Sequence, residues 1–142
     1  MQTPDKLDIS DVKKGAHHFY EALEHMQEIE ETLDKTEFMY RFSRGGLIKV
    51  YENTIELSWK IMQRWIKLND DVLIHEKPKR ELFRSAHQAG LIDDPVLWWT
   101  FYEARNKTAH TYHEETAEYV YGVAKDFRAH LQQFIIDLEK RV

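Results

Sequence analysis

Apolar side chains recur at helical spacing along most of the chain. Steps of three or four residues, which place side chains on one face of an α-helix, dominate three long segments. The apolar positions are Val12, Ala16, Phe19, Leu23, Met26 and Leu33 in the first segment, Phe38, Phe42, Ile48, Tyr51, Ile55, Met62 and Ile66 in the second, and Ala117, Val120, Ala124, Phe127, Leu131, Phe134 and Leu138 in the last. Each segment is therefore predicted to form an amphipathic helix that packs on other helices.

Two shorter helices are predicted between the second and last segments. Pro78 suits the start of one and Gly90 its end, because proline fits the first turn and glycine the position just past a helix. Asp94 and Pro95 predict the start of the next, since an Asp side chain accepts hydrogen bonds from the free N–H groups there. Their apolar positions are Leu82, Phe83 and Ala86 in the first and Trp98, Trp99 and Tyr102 in the second.

Other boundaries follow from cap and glycine positions. Ser10 is a candidate cap for the first helix, and Thr111 or Thr116 for the last. The Gly45–Gly46 pair interrupts the second apolar stripe, at a cost of about 1 kcal/mol per glycine relative to alanine, and predicts a kink or a close packing contact. With short connections and neither repeat nor linker, residues 1–142 are expected to form one all-α domain, an up-and-down antiparallel bundle of about five helices.

Composition narrows the class of protein. The 142 residues carry 20 Lys and Arg against 25 Asp and Glu, a net charge of −5, which argues against sequence-blind adhesion to nucleic acid. Cysteine is absent, which excludes disulfides and thiolate metal sites and suits a reducing cytosol. The first residues contain no apolar run, and no stretch approaches ~18 consecutive apolar residues, so we expect a cytoplasmic protein with neither signal peptide nor membrane span.

The densest polar cluster lies beside an apolar stripe at residues 105–112, with the sequence RNKTAHTY. In a continuous helix at ~100° per residue Arg105 and His110 would lie ~140° apart, so convergence requires the helix to end between them. If the chain is extended after Ala109, His110 and Tyr112 share a side and line one pocket with Arg105. Arginine binds phosphate and histidine exchanges protons near neutral pH, the abilities needed to cleave RNA through its own 2′-hydroxyl without a metal. The spacing is equally compatible with a surface helix end that holds a capping His110 and an ion-paired Arg105.

The Arg-x4-His-x-Tyr pattern of Arg105, His110 and Tyr112 resembles the signature of HEPN domains. The following stretch, HTYHEETA, is similar to the subgroup of nucleotidyltransferase substrate-binding proteins akin to HepT toxins. That resemblance spans nearly the whole chain and implies a homodimer paired with a small nucleotidyltransferase. It further implies a metal-independent ribonuclease toxin with Arg105, His110 and Asn106 in its active site, and silencing by transfer of AMP to Tyr112.

The chain is not itself the transferase, because it contains neither the Gly-Ser turn nor the Asp-x-Asp pair that such an enzyme needs for its two Mg²⁺ ions. Two other functions stay open. The same pocket can belong to a non-catalytic subunit that holds a nucleotide or another substrate for the transferase, or the chain can be a purely structural dimer that scaffolds or inhibits it. No cofactor is expected for any of the three.

Further polar groups have alternative interpretations. Lys60, Arg64 and Lys67 share one helical face and, with Lys107, are candidate RNA contacts; the alternative is a solvated face. The same two interpretations apply to Lys77, Lys79, Arg80 and Arg84, while an acidic run over residues 28–37 is either solvated or meets a basic partner.

Histidines and tryptophans complete the candidates. His17, Glu21 and His25 have ligand-like spacing, but they span ~12 Å along a helix, so no metal site is expected. Of Trp98 and Trp99, we expect one in the core and the other half-buried or anchoring a dimer.

Overall fold

A computed structural model describes residues 7–142 and gives five α-helices within them. Their bounds are Ser10–Thr32 (α1), Phe38–Asn69 (α2), Lys79–Gln88 (α3), Pro95–Asn106 (α4) and Glu114–Glu139 (α5). Two short 3-10 turns, Ile74–Glu76 and Thr108–His110, lie in the connections before α3 and α5. The prediction of an all-α bundle of about five helices is confirmed.

The long helices α1, α2 and α5 pack against one another, and α3 and α4 close one end of the bundle against α2 and α5. The predicted apolar faces of α1 and α5 are buried, apart from Leu33 at the end of α1. In the core, the rings of Trp98 and Phe101 from α4 lie 5.4 and 5.1 Å from that of Phe127 on α5. Trp98 is fully buried and Trp99 half-buried, as one alternative predicted.

The ends of α3 and α4 follow the sequence signals. Gly90, just past α3, has φ +78°, the left-handed region that side chains with a Cβ rarely adopt. The Asp94 side chain accepts hydrogen bonds from the backbone N–H groups of Val96 and Leu97 at 2.9 and 3.2 Å, and Pro95 begins α4.

Both predicted caps of the long helices are wrong. Ser10 is already the first residue of α1, and its N–H donates to the Asp8 carboxylate at 2.9 Å. Helix α5 begins at Glu114, where Thr116 lies inside the first turn and the Thr111 hydroxyl donates to the Thr108 carbonyl at 3.1 Å. Each threonine therefore has a local role other than capping.

The first turns of α2 depart from the predicted stripe. Phe38 and Phe42 are 64% and 66% exposed and stack on each other with centroids 5.8 Å apart. Residues 42 and 44 point ~200° apart on a helix, and here Arg44 takes the inward side. Helix α2 is continuous through Gly45 and Gly46, and a Cβ at either would meet no described atom within 4 Å, so the predicted close contact is wrong for the single chain.

Within residues 7–142, no helix combines the length and apolar character that crossing a membrane requires.

Candidate functional site

The segment between α4 and α5 folds as consecutive tight turns. His110 N–H donates to the Lys107 carbonyl at 3.0 Å, and His113 N–H donates to the His110 carbonyl at 3.2 Å. The expected extended strand after Ala109 is therefore wrong. Because the backbone N–H groups find partners three residues back, the chain stays helix-like until α5 begins. We call residues 107–113 the motif turn.

Arg105 leaves the last turn of α4 toward α2. Its guanidinium is 2.5 Å from the Glu56 carboxylate and 3.7 Å from that of Glu52. The Thr108 hydroxyl also donates to Glu52, at 3.0 Å. The arginine side chain is 27% exposed, so this ion pair forms a partly open patch of charge between α2 and α4. Arg105 is thus an ion-paired arginine at a helix end, the second of the two arrangements that its spacing allowed.

His110 lies on the opposite flank of the motif turn, in a shallow depression of about 410 Å³. Its lining residues are Lys107, His110, Glu115, Thr116 and Tyr119. The Lys107 ammonium lies 4.6 Å from the centre of the Tyr119 ring, so one cation faces the imidazole across an open surface. Arg105 and Tyr112 do not line this depression, and the prediction that Arg105, His110 and Tyr112 share one pocket does not hold in the single chain.

Tyr112 lies at the tip of the motif turn and is 76% exposed. Its ring centroid is 6.5 Å from that of His110 and 4.2 Å from that of His113. The phenol is therefore accessible beside two imidazoles. Asn106, the last residue of α4, is exposed next to Arg105.

A second ionic network, missed at the sequence level, begins where the motif turn ends. The Arg44 guanidinium, 3% exposed, donates to both oxygens of Glu114 at 2.9 and 2.7 Å. Glu118 lies 3.7 Å from Arg44 and accepts a hydrogen bond from the Tyr40 hydroxyl at 2.9 Å. The guanidinium holds the pKa of Glu114 below its usual range. The one available signal was an arginine in register with the apolar positions of α2.

The remaining candidates stay on the surface. Lys60, Arg64 and Lys67 are exposed along the second half of α2, and the ion pairs seen within residues 7–142 include none of the three. His17 and Glu21 form an exposed pair at 2.6 Å, and in the described part of the chain no three His, Asp or Glu side chains are grouped to hold a metal ion.

Taken together, the fold and the motif turn define a helical bundle with an arginine–histidine–tyrosine surface between its last two helices. The chain belongs to the family described as nucleotidyltransferase substrate-binding protein-like, whose profile matches residues 7–140. The family predicted from the sequence is confirmed.

Individual relatives agree with this assignment. The chain is 34% identical over 87 residues to a probable ribonuclease HepT of Haemophilus influenzae, an alignment that covers 58% of each chain. The match thus spans just over half the length of that curated relative. The solved structure of HI0074 from H. influenzae, described as the substrate-binding domain of a nucleotidyltransferase, superposes with a TM-score of 0.83 over 93% of this chain and 99% of the other, at 23% identity. A protein from Thermus thermophilus superposes with a TM-score of 0.60 over 82% of this chain and 95% of its own, at 22% identity.

Proposed function

We propose that this protein is the HEPN-type partner of a small nucleotidyltransferase in a toxin–antitoxin-like pair, and that it cleaves RNA without a metal ion. The observation that carries the proposal is the motif turn itself, where Arg105 and His110 reach the surface on its two flanks and Tyr112 is exposed at its tip. The likeness to a probable ribonuclease HepT supports the activity. The family description supports the transferase partner.

In the proposed reaction, His110 acts as a general base and removes the proton from a ribose 2′-hydroxyl. The 2′-oxygen attacks the adjacent phosphorus, the bond to the 5′-oxygen breaks, and that oxygen takes up a proton as it leaves, so the products are a 2′,3′-cyclic phosphate and a 5′-hydroxyl. Arg105 holds the phosphate through charge-assisted hydrogen bonds after exchanging its contact with Glu56. Asn106 positions the strand, and Lys60, Arg64, Lys67 and Lys107 supply further phosphate contacts.

A homodimer completes this site, because Arg105 and His110 lie on different flanks of the motif turn and one chain does not bring them into one pocket. The proposed interface is the outward face of α2, whose members repeat in steps of four and three residues: Phe38, Phe42, Gly45, Lys49, Glu52 and Glu56. Its first half is an exposed aromatic pair followed by glycine with open space around it, and its second half carries the partners of Arg105. A two-fold contact along this face would bring Arg105 of one chain toward the motif turn of the other.

Silencing by AMP transfer fits the exposure of Tyr112. The phenol oxygen would attack the α-phosphorus of ATP in the metal site of the partner transferase, and pyrophosphate would leave with the transferred electron pair. The nucleotide would add an anion beside His110 and Lys107, where it would compete with RNA phosphate.

The decisive experiment compares the wild type with His110→Ala and His113→Ala in cleavage of a labelled RNA in the presence of a chelator. Both histidines are exposed in the same turn, so the pair is matched for fold and charge. We expect His110→Ala to lose roughly 10²- to 10⁴-fold in rate and His113→Ala to retain activity. Equal losses in both variants, or no cleavage by the wild type, would reject the ribonuclease.

The ion pair of Arg105 with Glu56 favours one alternative, a non-catalytic subunit that binds a nucleotide or another substrate for the transferase. In that case the wild type cleaves nothing, and Arg105→Ala raises the KM of the partner transferase while its kcat stays the same.

A further inference from the structure

A cleft between α3 and the first turns of α4 lies outside the site described above. It has a volume of about 250 Å³ and is lined by Arg80, Arg84, Pro95, Val96 and Trp99. Its chemistry is two guanidinium groups beside the half-buried ring of a tryptophan. Neither the ribonuclease mechanism nor the packing of the core uses this combination.

The two arginines are available to a ligand. Both are exposed and lie four residues apart on α3, so their side chains project from the same side of the helix. The Arg80 guanidinium lies 4.5 Å from the centre of the Trp99 ring, which holds its planar group against the cleft wall as a stacking surface. Arg84 is 2.8 Å from Glu81, but this pair is largely exposed, and an exposed pair contributes only about 0–1 kcal/mol, so a phosphate can replace the carboxylate.

The charge around the cleft is unlike that of the whole protein. Although the chain carries −5, the start of α3 gathers Lys77, Lys79, Arg80 and Arg84 within eight residues. Of these, Lys77 is paired with Asp71 and Lys79 lies over the Trp59 ring at 4.2 Å, which leaves the two arginines facing the cleft. A local cationic surface with a flat aromatic wall is typical of sites for single-stranded nucleic acid, where bases stack and phosphates pair with cations.

The cleft connects to the proposed catalytic site through α4. The Tyr102 ring lies 5.4 Å from that of Trp99, one turn before Arg105. Trp99 and Arg105 are six residues apart, which is ~9 Å along the helix axis and within the span of one or two nucleotides. A strand whose scissile phosphate is at Arg105 therefore reaches the cleft with a neighbouring nucleotide.

Resting on the proposed ribonuclease function, we propose that the α3–α4 cleft is a subsite for a flanking nucleotide of single-stranded RNA. A base stacks against Trp99 and the guanidinium of Arg80, and Arg84 binds the adjoining phosphate. The subsite contributes affinity for a strand and no chemistry, so a substrate too short to reach the cleft does not use it.

The test measures binding of a labelled single-stranded oligoribonucleotide by fluorescence anisotropy, with every variant placed in a His110→Ala background to prevent cleavage. Arg80→Gln/Arg84→Gln is compared with Lys13→Gln/Lys14→Gln, which removes two exposed charges from α1, a helix that packs on α2 and α5 and not on the cleft. We expect the arginine variant to bind roughly tenfold more weakly and its dependence of log K on log salt to flatten by about 1.4, for two lost phosphate contacts at ~0.7 each.

Stacking is tested separately with Trp99→Leu and with an oligomer that lacks the base at one position at a time. We expect one abasic position, next to the scissile phosphate, to weaken wild-type binding several-fold and to leave Trp99→Leu unaffected. The arginine variant keeps the test valid if Trp99→Leu folds poorly, because Arg80 and Arg84 are exposed.

Equal losses in the arginine and lysine variants, or wild-type affinity in the arginine variant, would overturn the subsite. Displacement of the oligomer by a mononucleotide alone at equal phosphate concentration would also overturn it in favour of a free-nucleotide site. If the wild type binds RNA through the cleft but does not cleave it, the subsite stands and the ribonuclease proposal falls. Cleavage of a dinucleotide at equal rates by the arginine variant and the wild type, both with His110 intact, would assign the cleft to strand binding.

Discussion

Arg44 of α2 holds Glu114, the first residue of α5, through two hydrogen bonds of 2.9 and 2.7 Å. Two turns further along α2, Glu52 accepts a hydrogen bond from Thr108 near the start of the motif turn. A single helix therefore fastens both ends of the segment that contains His110 and Tyr112. The rigid spacing of α2, ~12 Å between residues 44 and 52, sets the span of the motif turn.

Glu114→Gln should lower the free energy of unfolding by about 1 kcal/mol at neutral pH. The substitution removes a charge from a two-point pair whose acidic partner is still half exposed, so the loss is smaller than for a fully buried pair. The pKa of Glu114 is held below its ordinary 4.5 by Arg44, so its stabilising contribution is present above that pH and disappears as pH falls through the pKa of the folded state. Denaturant unfolding at several pH values measures the difference.

The adjacent Glu115→Gln is the control for this effect, since Glu115 is exposed in the same turn. A difference between the wild type and Glu114→Gln that persisted unchanged at acid pH would contradict the ion-pair explanation.

Glu56→Gln should strengthen RNA binding several-fold in a His110→Ala background. The Glu56 carboxylate occupies the guanidinium that the proposed mechanism assigns to phosphate, and a neutral amide competes less well for it. Anisotropy titrations against Glu103→Gln, which removes an exposed carboxylate elsewhere on α4, isolate this competition. Weaker binding by Glu56→Gln would instead make Glu56 a residue that positions Arg105.

The sequence predicts the helices of this fold better than it predicts the surroundings of the motif. Periodicity identifies the buried faces of α1 and α5 because burial there extends over many turns, and Asp94–Pro95 and Gly90 have local capping roles that need no tertiary context. The exposure of Phe38 and Phe42 was not predictable, because the drifting stripe of α2 does not reveal that Arg44 takes the inward side.

The partners of Arg105 and Arg44 were equally out of reach. Glu56 and Glu114 lie 49 and 70 residues away along the chain, and only the packing of α2 against α4 and α5 brings them together. The motif residues themselves were found by their short spacing, whereas the turn that separates Arg105 from His110 depends on hydrogen bonds that the sequence leaves undetermined.

Tyr121→Phe should destabilise the protein by about 1 kcal/mol at neutral pH, and the loss should shrink above pH 10. The Tyr121 hydroxyl donates to Glu30 at 2.6 Å, and burial together with this carboxylate raises its pKa well above the ordinary 10. A tyrosine whose pKa is raised by folding stabilises the native state fully below its unfolded pKa and loses that contribution as pH rises. Unfolding measured from neutral to alkaline pH by circular dichroism checks this, and a cost independent of pH would contradict it.

Tyr112→Phe should abolish the AMP adduct that the proposed silencing reaction forms. Intact-mass spectrometry after incubation with the cognate transferase, ATP and Mg²⁺ measures the adduct directly. Tyr119→Phe is the matched control, because Tyr119 is 44% exposed on the adjacent first turns of α5. An unmodified wild type, or equal adducts in the wild type and Tyr112→Phe, would remove Tyr112 as the acceptor and leave it as a surface tyrosine of the motif turn.

Alanine at Gly45 and Gly46 should stabilise the single chain and weaken its proposed dimer. Each substitution removes backbone freedom from an exposed helical position where an added Cβ meets no described atom within 4 Å, so the folded chain gains about 0.5–1 kcal/mol per site. If α2 packs against α2 of a second copy, the same two methyl groups keep the helices apart. Light scattering should report about 34 kDa, twice the 17.1 kDa chain, for the wild type and a lower mass for the variant at equal concentration. Gly122→Ala on α5, where a Cβ is likewise free of contacts, should raise stability and leave the mass unchanged. A variant that is more stable and as dimeric as the wild type would place the interface on another face, and a monomeric wild type at micromolar concentration would reject the composite site.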